Sequence, residues 1–465
     1  MFKKREFEGR WWWSDKPEEI RYGILRYDPE DISILETKDP RSYSFHEVVE
    51  HDEPRFQKGT MLGRDSNDHP ITLLDCISYG PQSSMGLKTA IYHAHTVILG
   101  REFNNWDEVQ FDGIKLDFTN LLAWLNLDSS LTKREDGVDY IGFKFPDDLI
   151  FPLHDAAEIR ITATTGSRTD WTHEKTMCFT ESRFFRINWP RPMSMASINE
   201  WVVQIQRFLS LMIGTPTYPR WMMGLRKDEI VMGEGENAVY RDIEVLGENH
   251  GISRAKLNKR TWEMLCSFSN IRDRMGHVIK SWFDYDKKIG PVLDLYFALI
   301  FNKHLYGSHQ LLFLAQALER YHAVQMGGQR EPRESFDKRL SLVSDLIGKE
   351  QFDFFKDKLN WANEKTLLHR LNELLEKRGA LVKDVVADFP DFPQLVKDSR
   401  NYYTHFDPKL LAKGRVAEKT QLALLIQSMK ILLEVLFLSD LGIGDAAISK
   451  AKSRRASVIH SIGGR

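Results

Sequence analysis

The segment AVYRDIEVL, residues 238–246, is followed after a short linker by RTWEMLCSFSNIRDRMGHVIKSWF, residues 260–283. The first segment is short and rich in β-branched residues that alternate with polar ones, which is typical of a strand. The second repeats its apolar residues at intervals of three and four, which is typical of an amphipathic helix. The hydrophobic period therefore changes near Gly251, and we expect a domain boundary there.

The residues before this boundary predict a mainly antiparallel β domain over 1–248. From Ile20 to about Trp189 the chain consists of short runs rich in β-branched and aromatic residues, interrupted by Gly, Pro, Asn and Asp. One helix is expected within this half, at INEWVVQIQRFLSLMIG, residues 198–214, with Ser197 as its N-cap.

Three consecutive tryptophans, Trp11 to Trp13, lie near the start of this β domain. Adjacent residues of a strand point to opposite faces, so we expect one or two of these side chains in the core and a third at an edge or interface. Stacking against a base or another ligand is the alternative interpretation.

The residues after the boundary predict an all-α bundle over 249–447, so the fold class is α+β with two domains. Seven segments in this half carry an apolar stripe at helical spacing. The remaining residues, 448–465, contain five basic and no acidic side chains, and we expect a frayed basic tail that could touch phosphates.

Length and composition indicate a soluble protein of two or three domains, because 465 residues exceed what one core usually supports. The net charge of −2 does not point to a nucleic-acid partner, although it leaves room for a local basic groove. The three cysteines, Cys76, Cys178 and Cys266, are far apart and in no metal-ligand spacing, which favours a reducing compartment without disulfides or zinc. The most apolar stretch, 431–438, is shorter than the roughly 20 residues that span a bilayer. We expect a cytoplasmic protein with no membrane partner, cofactor or metal.

The segment RNYYTH, residues 400–405, is the main candidate for chemistry. We expect it to end a helix that begins near Pro393, because Asp407 precedes a proline and is therefore pushed out of helical conformation. On that helix the apolar stripe would run into the core as far as Phe406. Arg400 and His405 would flank the stripe about 140° apart, at 100° per residue, so they converge on one phosphate only if the helix ends here or if two copies meet across a two-fold axis.

An arginine and a histidine suit RNA cleavage without a metal. Histidine can take the proton of a ribose 2′-OH or protonate the 5′-oxygen leaving group, and an arginine fork can hold the phosphate oxygens. The spacing alone is weak, since it also occurs at Arg41/His46, Arg64/His69, Arg168/His173, Arg272/His277 and Arg455/His460. Only RNYYTH combines a helix, a polar residue after the arginine and neighbouring aromatic residues. A purely structural role, with the arginine solvated and the histidine bonded to backbone, remains open.

Several segments together resemble the ApeA proteins of bacterial anti-phage defence, in which a β-rich domain precedes a helical HEPN domain. They are GRWWWSDKPEEIRYGILRYDPEDISIL (9–35), FTNLLAWL (118–125), FLAQALERYH (313–322), FDKRLSLV (336–343) and RNYYTHFDP (400–408). The resemblance extends over essentially the whole chain. RNYYTH matches the form of the HEPN nuclease motif, an arginine followed by a polar residue and, after four to six residues, a histidine.

The resemblance implies a metal-independent endoribonuclease toxin of abortive infection, which cleaves RNA to 2′,3′-cyclic phosphate ends. Arg400 and His405 would be catalytic and Asn401 supporting. It also implies a homodimer through the HEPN domain and a phage-derived trigger. Because the β domain carries no catalytic motif of its own, it is by elimination the candidate sensor or autoinhibitory module.

Two other functions remain possible at this stage. One is a non-catalytic HEPN module that binds RNA or protein, with the β domain recognising a phage component. The other is modification of Tyr402 or Tyr403 by a separate nucleotidyltransferase, which the expected burial of both side chains disfavours. Glu319 and His322, which lie three residues apart on a predicted helix, are placed outside the site because such pairs are usually packing or capping contacts.

Overall fold

The computed structural model describes residues 4–38, 56–78, 82–84, 87–127, 129–144, 147–170, 176–233, 239–247, 259–302 and 304–463. The chain divides into two compact units, Met1–Trp262 and Glu263–Arg465. The division falls after Trp262 instead of after residue 248, and residues 248–258 lie outside the described ranges. The first unit is rich in strands and the second is helical, so the predicted α+β class with two domains is confirmed.

The strands of the first unit all pair antiparallel among the residues described. They are β1 Arg5–Trp13, β2 Lys16–Tyr27, β3 Ser33–Lys38, β4 Gln57–Asp65, β5 Pro70–Ser78, β6 Gln82–Ser84, β7 Leu87–Ala94, β8 Thr96–Leu99, β9 Gln110–Phe118, β10 Ser130–Glu135, β11 Val138–Phe143, β12 Leu149–Pro152, β13 Glu158–Asp170, β14 Thr176–Ser194, β15 Pro219–Leu225, β16 Ile230–Met232, β17 Val239–Tyr240 and β18 Ile243–Gly247.

One large sheet dominates this unit, with the described strands in the order β12-β13-β14-β9-β15-β18-β8-β5-β4-β1-β2-β3-β7-β6. An additional pairing between β5 and β7 closes the six strands β5, β4, β1, β2, β3 and β7 into a ring. Strand β5 pairs with β8 through residues 71–74 and with β7 through residues 77–78. Asp75, between these two stretches, has a φ of 47°, so the strand changes partners at a left-handed residue.

The interior of this ring is an apolar core that contains Trp11 and Trp13, which are 0% and 2% exposed. The Trp13 ring lies edge-on to Tyr92, with centroids 5.7 Å apart. Trp12 points to the opposite face and is half-buried. The expectation that alternate tryptophans pack in the core is therefore confirmed.

Two helices also belong to the first unit, α1 Leu121–Leu125 and α2 Met195–Ile213. The N-cap of α2 is Ser194, whose hydroxyl accepts a hydrogen bond from the Ser197 backbone N–H. The expected cap at Ser197 is wrong by three residues, because that residue supplies the capped N–H instead of the capping oxygen. The helix ends at Gly214 in left-handed conformation, as the sequence predicts.

The second unit contains ten α-helices among its described residues. They are α3 Met275–Phe301, α4 Gly307–Met326, α5 Arg333–Ile347, α6 Lys349–Asn360, α7 Leu367–Lys377, α8 Gly379–Val382, α9 Phe392–His405, α10 Pro408–Ala412, α11 Lys419–Asp440 and α12 Asp445–Gly463. Helix α3 is kinked at Ile289, two residues before Pro291, so this proline lies in the first turn after the kink.

Helix α11 lies at the centre of this unit. Phe437 on α11 is surrounded by the rings of Tyr285, Tyr296 and Tyr321, at centroid distances of 6.2, 5.4 and 6.3 Å. Three residues further on, Asp440 accepts hydrogen bonds from the hydroxyls of Tyr285 and Tyr321. These contacts tie α3 and α4 to α11.

Among the described residues, α11 is the one helix long and apolar enough to cross a membrane, and 67% of its most apolar 18-residue window is buried within the protein. Its middle carries Glu434, which is 1% exposed and accepts hydrogen bonds from Tyr296 and Arg455. A helix with these contacts has the character of the core helix of a bundle.

The expectation of a frayed tail over 448–465 is wrong for the part that the structure describes. Residues up to 463 form helix α12, which buries Ile448 and Ala451 against the bundle. Arg455 from this helix reaches Glu434 at 2.7 Å. Two of the tail's basic residues, Lys452 and Arg455, are therefore engaged in ion pairs.

Candidate active site

The RNYYTH segment forms the end of α9. The helix begins at Phe392, with a proline in its first turn, and its last residue is His405, so both expected boundaries are confirmed. Phe406 follows in left-handed conformation, with a φ of 53°, and its backbone N–H donates to the carbonyl of Tyr402. Asp407 then caps the short helix α10 by accepting from the Lys409 N–H.

The first part of α9 is anchored in the core, and the last turn extends beyond it. Phe392, Val396 and Ser399 are buried. The expected core face is wrong beyond this point, because Tyr402 and Tyr403 are only half-buried and Phe406 is 66% exposed. The apolar stripe therefore continues past the packed part of the helix and presents its last aromatic residue to solvent.

Two hydrogen bonds hold the end of α9 to the chain that enters α11. The Ser399 hydroxyl accepts from the Ala417 N–H at 2.9 Å, and the Tyr403 hydroxyl donates to the Ala417 carbonyl at 3.0 Å. Burial raises the pKa of Tyr403, so its hydroxyl stays a donor at neutral pH. The backbone that carries the RNYYTH side chains is thus pinned at two points.

Arg400 and His405 have side chains available for a ligand. Arg400 is half-buried, and its guanidinium makes one hydrogen bond within the described residues, from Nη1 to Asn401 Oδ1 at 3.1 Å. His405 is exposed and has no hydrogen-bond or ion-pair partner in the same described ranges. The Asn401 oxygen accepts this hydrogen bond, and the Asn401 amide N–H groups make none within the described residues.

The chain beyond the site is basic, which the sequence reasoning did not single out. Residues 408–415 contain three cations, Lys409, Lys413 and Arg415, and no acidic residue. All three cations are exposed. We call these residues the basic segment. Its cations form no ion pair within the part of the chain that the structure describes. The sequence could have indicated this basic segment, because residues 408–415, PKLLAKGR, contain three cations and no acidic residue.

The other arginine–histidine pairs differ from Arg400 and His405, which lie at the exposed end of an anchored helix without a carboxylate partner among the described residues. Arg64 is paired with Asp68 and Glu102, and His69 with Asp65, in a turn. His277 is exposed near the start of α3, and Arg455 is bound to Glu434. The pairs Arg41/His46 and Arg168/His173 include residues outside the described ranges.

Glu319 and His322 do not form a pair. His322 is fully buried and its Nε2 lies 2.8 Å from Glu373 on α7, while its Nδ1 is buried without a partner among the described residues. Glu319 lies 3.9 Å from Arg370. Burial lowers the pKa of His322, which favours the neutral ring. Leaving this pair outside the site agrees with these contacts.

Glu373 provides a pH-dependent contribution to stability. A hydrogen bond from Lys365, aided by Lys377 and His322, lowers the pKa of Glu373 to about 2. Because the folded-state pKa is below the unfolded value, this stabilisation is present above about pH 4.5 and is lost as the pH falls toward 2. We expect Glu373→Gln to flatten the decrease in unfolding free energy over that range. Denaturant titrations at several pH values would check this, and an unchanged slope would contradict it.

Two protein-family models match the chain, one over its β-rich part and one over its helices. The family model described as ApeA N-terminal domain 1 matches residues 6–282, which is more than half of the chain. The chain belongs to the ApeA family. The model described as Apea-like HEPN matches residues 312–446, which include RNYYTH. No curated protein and no solved structure matches the chain.

The two matches make this ApeA-family chain a HEPN-type defence protein. HEPN domains are generally associated with RNase activity, and they commonly dimerise and bind RNA. The HEPN match covers α5 to α11 completely, and thus the anchored helix, its exposed end and the basic segment.

Proposed function

We propose that this protein is a metal-independent endoribonuclease of the HEPN type that acts in abortive-infection defence against phage. The observation that carries the proposal is the pair Arg400 and His405 at the exposed end of an anchored helix, with no carboxylate partner in the described residues. Side chains without a neutralising partner are available to a phosphate and to a ribose hydroxyl.

The reaction is an internal transfer of the phosphate. The ribose 2′-oxygen bonds to phosphorus while the bond from phosphorus to the 5′-oxygen breaks, and the products are a 2′,3′-cyclic phosphate and a 5′-hydroxyl. His405 moves a proton, either from the 2′-OH or to the leaving oxygen. Arg400 stabilises the negative charge on the phosphate oxygens, and Asn401 orients Arg400 through the 3.1 Å hydrogen bond.

Two copies complete the cleft in this proposal. Arg400 and His405 are five residues apart, which places them on different sides of one helix. A two-fold axis near the end of α9 brings a second arginine and histidine to the same phosphate, so one histidine can serve as base and the other as acid. The exposed Phe406 beside His405 suits such an interface.

The basic segment supports RNA as the substrate. Lys409, Lys413 and Arg415 place three exposed positive charges directly after the site, and such charges attract the phosphate backbone without sequence preference. The β domain is the proposed sensor of a phage-derived trigger. A bacterial cytoplasmic setting follows from the same proposal.

The test is cleavage of total bacterial RNA by purified protein in EDTA, with and without extract of phage-infected cells. We expect RNA fragments that end in 2′,3′-cyclic phosphate and no cleavage of the corresponding DNA, because the attacking 2′-OH is absent from DNA. RNA binding without cleavage under both conditions would favour the alternative, a non-catalytic HEPN binding module.

A further inference from the structure

A cavity of about 590 Å³ lies against strands β1 to β4 and the turn between β4 and β5. Its side chains alternate along the strands with core residues such as Trp11, Leu25 and Leu35, so they lie on the outer face of the six-strand ring. We call it the outer cavity. Small-molecule sites usually have volumes of about 300–1,000 Å³, so the outer cavity has the size of such a site.

Two glycines that line the outer cavity allow the strands to approach closely there. Gly9 and Gly23 lie directly opposite each other on β1 and β2. A Cβ atom at Gly9 would clash with the carbonyl oxygen of Arg64 on β4, and one at Gly23 with the carbonyl oxygen of Glu36 on β3. The shape of the backbone at the cavity therefore depends on both glycines.

The strand register places three cations and a tyrosine in one row across the outer cavity. Arg64 on β4 lies opposite Arg10 on β1, Arg10 lies opposite Tyr22 on β2, and Tyr22 lies opposite Lys38 on β3. Residues directly opposite each other share a face of the sheet. Neighbouring strands are about 4.8 Å apart, so the row spans roughly 14 Å.

The two arginines of this row converge on one carboxylate. Like charges directly opposite each other are unfavourable, and here Asp68 from the turn lies 2.8 Å from Arg10 Nη2 and 3.4 Å from Arg64 Nη1. Asp68 and Arg10 are exposed, and exposed ion pairs contribute little to stability. A phosphate can therefore take the place of this carboxylate between the two guanidinium groups.

The other two members of the row have no partner among the described residues. Tyr22 is 59% exposed, and neither its hydroxyl nor its ring makes a contact with another polar or aromatic side chain there. Lys38 is exposed and forms no ion pair within the same ranges. An exposed tyrosine ring is suited to stacking on a flat aromatic ring such as a base, and the ammonium group beside it can donate to polar atoms of that base.

Acidic side chains in the outer cavity restrict the kind of anion that fits. Glu8 and Glu36 flank Ile24 in the next row of the sheet, and Glu8 has no hydrogen-bond or ion-pair partner within the described part of the chain. Carboxylates accept hydrogen bonds from hydroxyl groups but repel further phosphates. This combination favours a small molecule with one anionic end and sugar hydroxyls over a continuous nucleic-acid strand.

We propose that the outer cavity is a binding site for a nucleotide. The phosphate lies between Arg10 and Arg64 and displaces Asp68, the base stacks on Tyr22 beside Lys38, and Glu8 accepts a hydrogen bond from a ribose hydroxyl. The cavity is formed by the first unit alone, so the proposal does not depend on the RNase chemistry of RNYYTH.

The test is isothermal titration calorimetry of the full chain with the 5′-mono- and triphosphates of the four ribonucleosides, in EDTA. We expect a Kd in the micromolar range for at least one of them, and Arg10→Gln/Tyr22→Ala to raise it about tenfold or more. The matched control is Arg134→Gln/Tyr140→Ala on the β10–β11 hairpin. This pair is also exposed, and Arg134 likewise lies near an aspartate, Asp139. We expect the control to keep the wild-type Kd.

A third variant gives a result that a merely structural role of these residues would not produce. Asp68→Asn removes the carboxylate that competes with the phosphate, and asparagine tolerates the left-handed φ of 61° at this position, so we expect a lower Kd than in the wild type. Circular dichroism and melting curves establish that all variants are folded. His405→Ala is expected to bind like the wild type, which separates this measurement from the RNase proposal.

Three outcomes would overturn the proposal. One is the absence of micromolar binding for all eight nucleotides, and another is a wild-type Kd in Arg10→Gln/Tyr22→Ala. The third is tighter binding of inorganic phosphate or of a single-stranded oligonucleotide than of any nucleotide, because the site would then recognise a simple anion or a nucleic-acid strand.

Discussion

Replacing His405 with alanine is expected to lower the rate of RNA cleavage by about 10²–10⁴-fold, the range that positioned acid–base groups usually contribute. The side chain is exposed at the end of α9, and the core part of that helix lies before it. The substitution should therefore remove the proton transfer without loss of folding. Initial rates on a short RNA in EDTA, with melting curves measured in parallel, would check this.

The matched control for this substitution is His277→Ala. His277 also follows an arginine at the same spacing, is exposed, and lies in the same helical unit near the start of α3. We expect this variant to cleave at the wild-type rate. If His405→Ala retained wild-type activity, or if His277→Ala lost as much, the active site would have to lie elsewhere.

Replacing Arg455 with alanine is expected to destabilise the helical unit by about 3–5 kcal/mol, because it leaves a buried charge without its partner. Glu434, 1% exposed, receives two hydrogen bonds from Arg455, from Nε at 2.9 Å and Nη2 at 2.7 Å. The remaining neighbours, the hydroxyl of Tyr296 and Lys430 at 4.0 Å, cannot replace a bidentate guanidinium. A decrease in melting temperature of about 6–20 °C follows for a unit of this size.

Calorimetry of the full chain would measure this loss as a shift of the helical unit's transition. Lys450→Ala is the control, because Lys450 is an exposed cation on the same helix, and surface substitutions usually change stability by less than about 0.5 kcal/mol. The double variant Glu434→Gln/Arg455→Met removes both charges and keeps an acceptor for Tyr296. We expect it to recover most of the loss, and an Arg455→Ala melting curve equal to that of Lys450→Ala would contradict the prediction.

Much of this protein could be predicted from local sequence because local periodicity follows from the geometry of the backbone. The change of hydrophobic period predicted a β-rich first unit and a helical second unit, but within the segment 260–283 the helix begins only at Met275, after three short 3₁₀ helices. The strand alternation places Trp11 and Trp13 on the buried face. The prolines at 393 and 408 bracket α9, since a proline restricts its own backbone and that of the preceding residue. The ordered set of matching segments indicated the family.

Contacts between distant parts of the chain decided the rest. Strand β5 pairs first with β8 and then with β7, and the pairing with β7 closes the ring of six strands. No local sequence pattern predicts that change of partner. The tail packs onto the bundle as a helix, and its Arg455 reaches Glu434 across 21 residues of sequence, where a buried carboxylate requires a cation.

At the candidate site, too, local sequence predicted some features and contacts in the folded chain decided others. Sequence placed Arg400 and His405 at the end of a helix, but periodicity cannot tell where a packed neighbour stops. Only the tertiary structure decided that the core ends at Ser399, which leaves Phe406 exposed beside His405. Burial depends on which surfaces meet in space, whereas a sequence period specifies only which residues share a face.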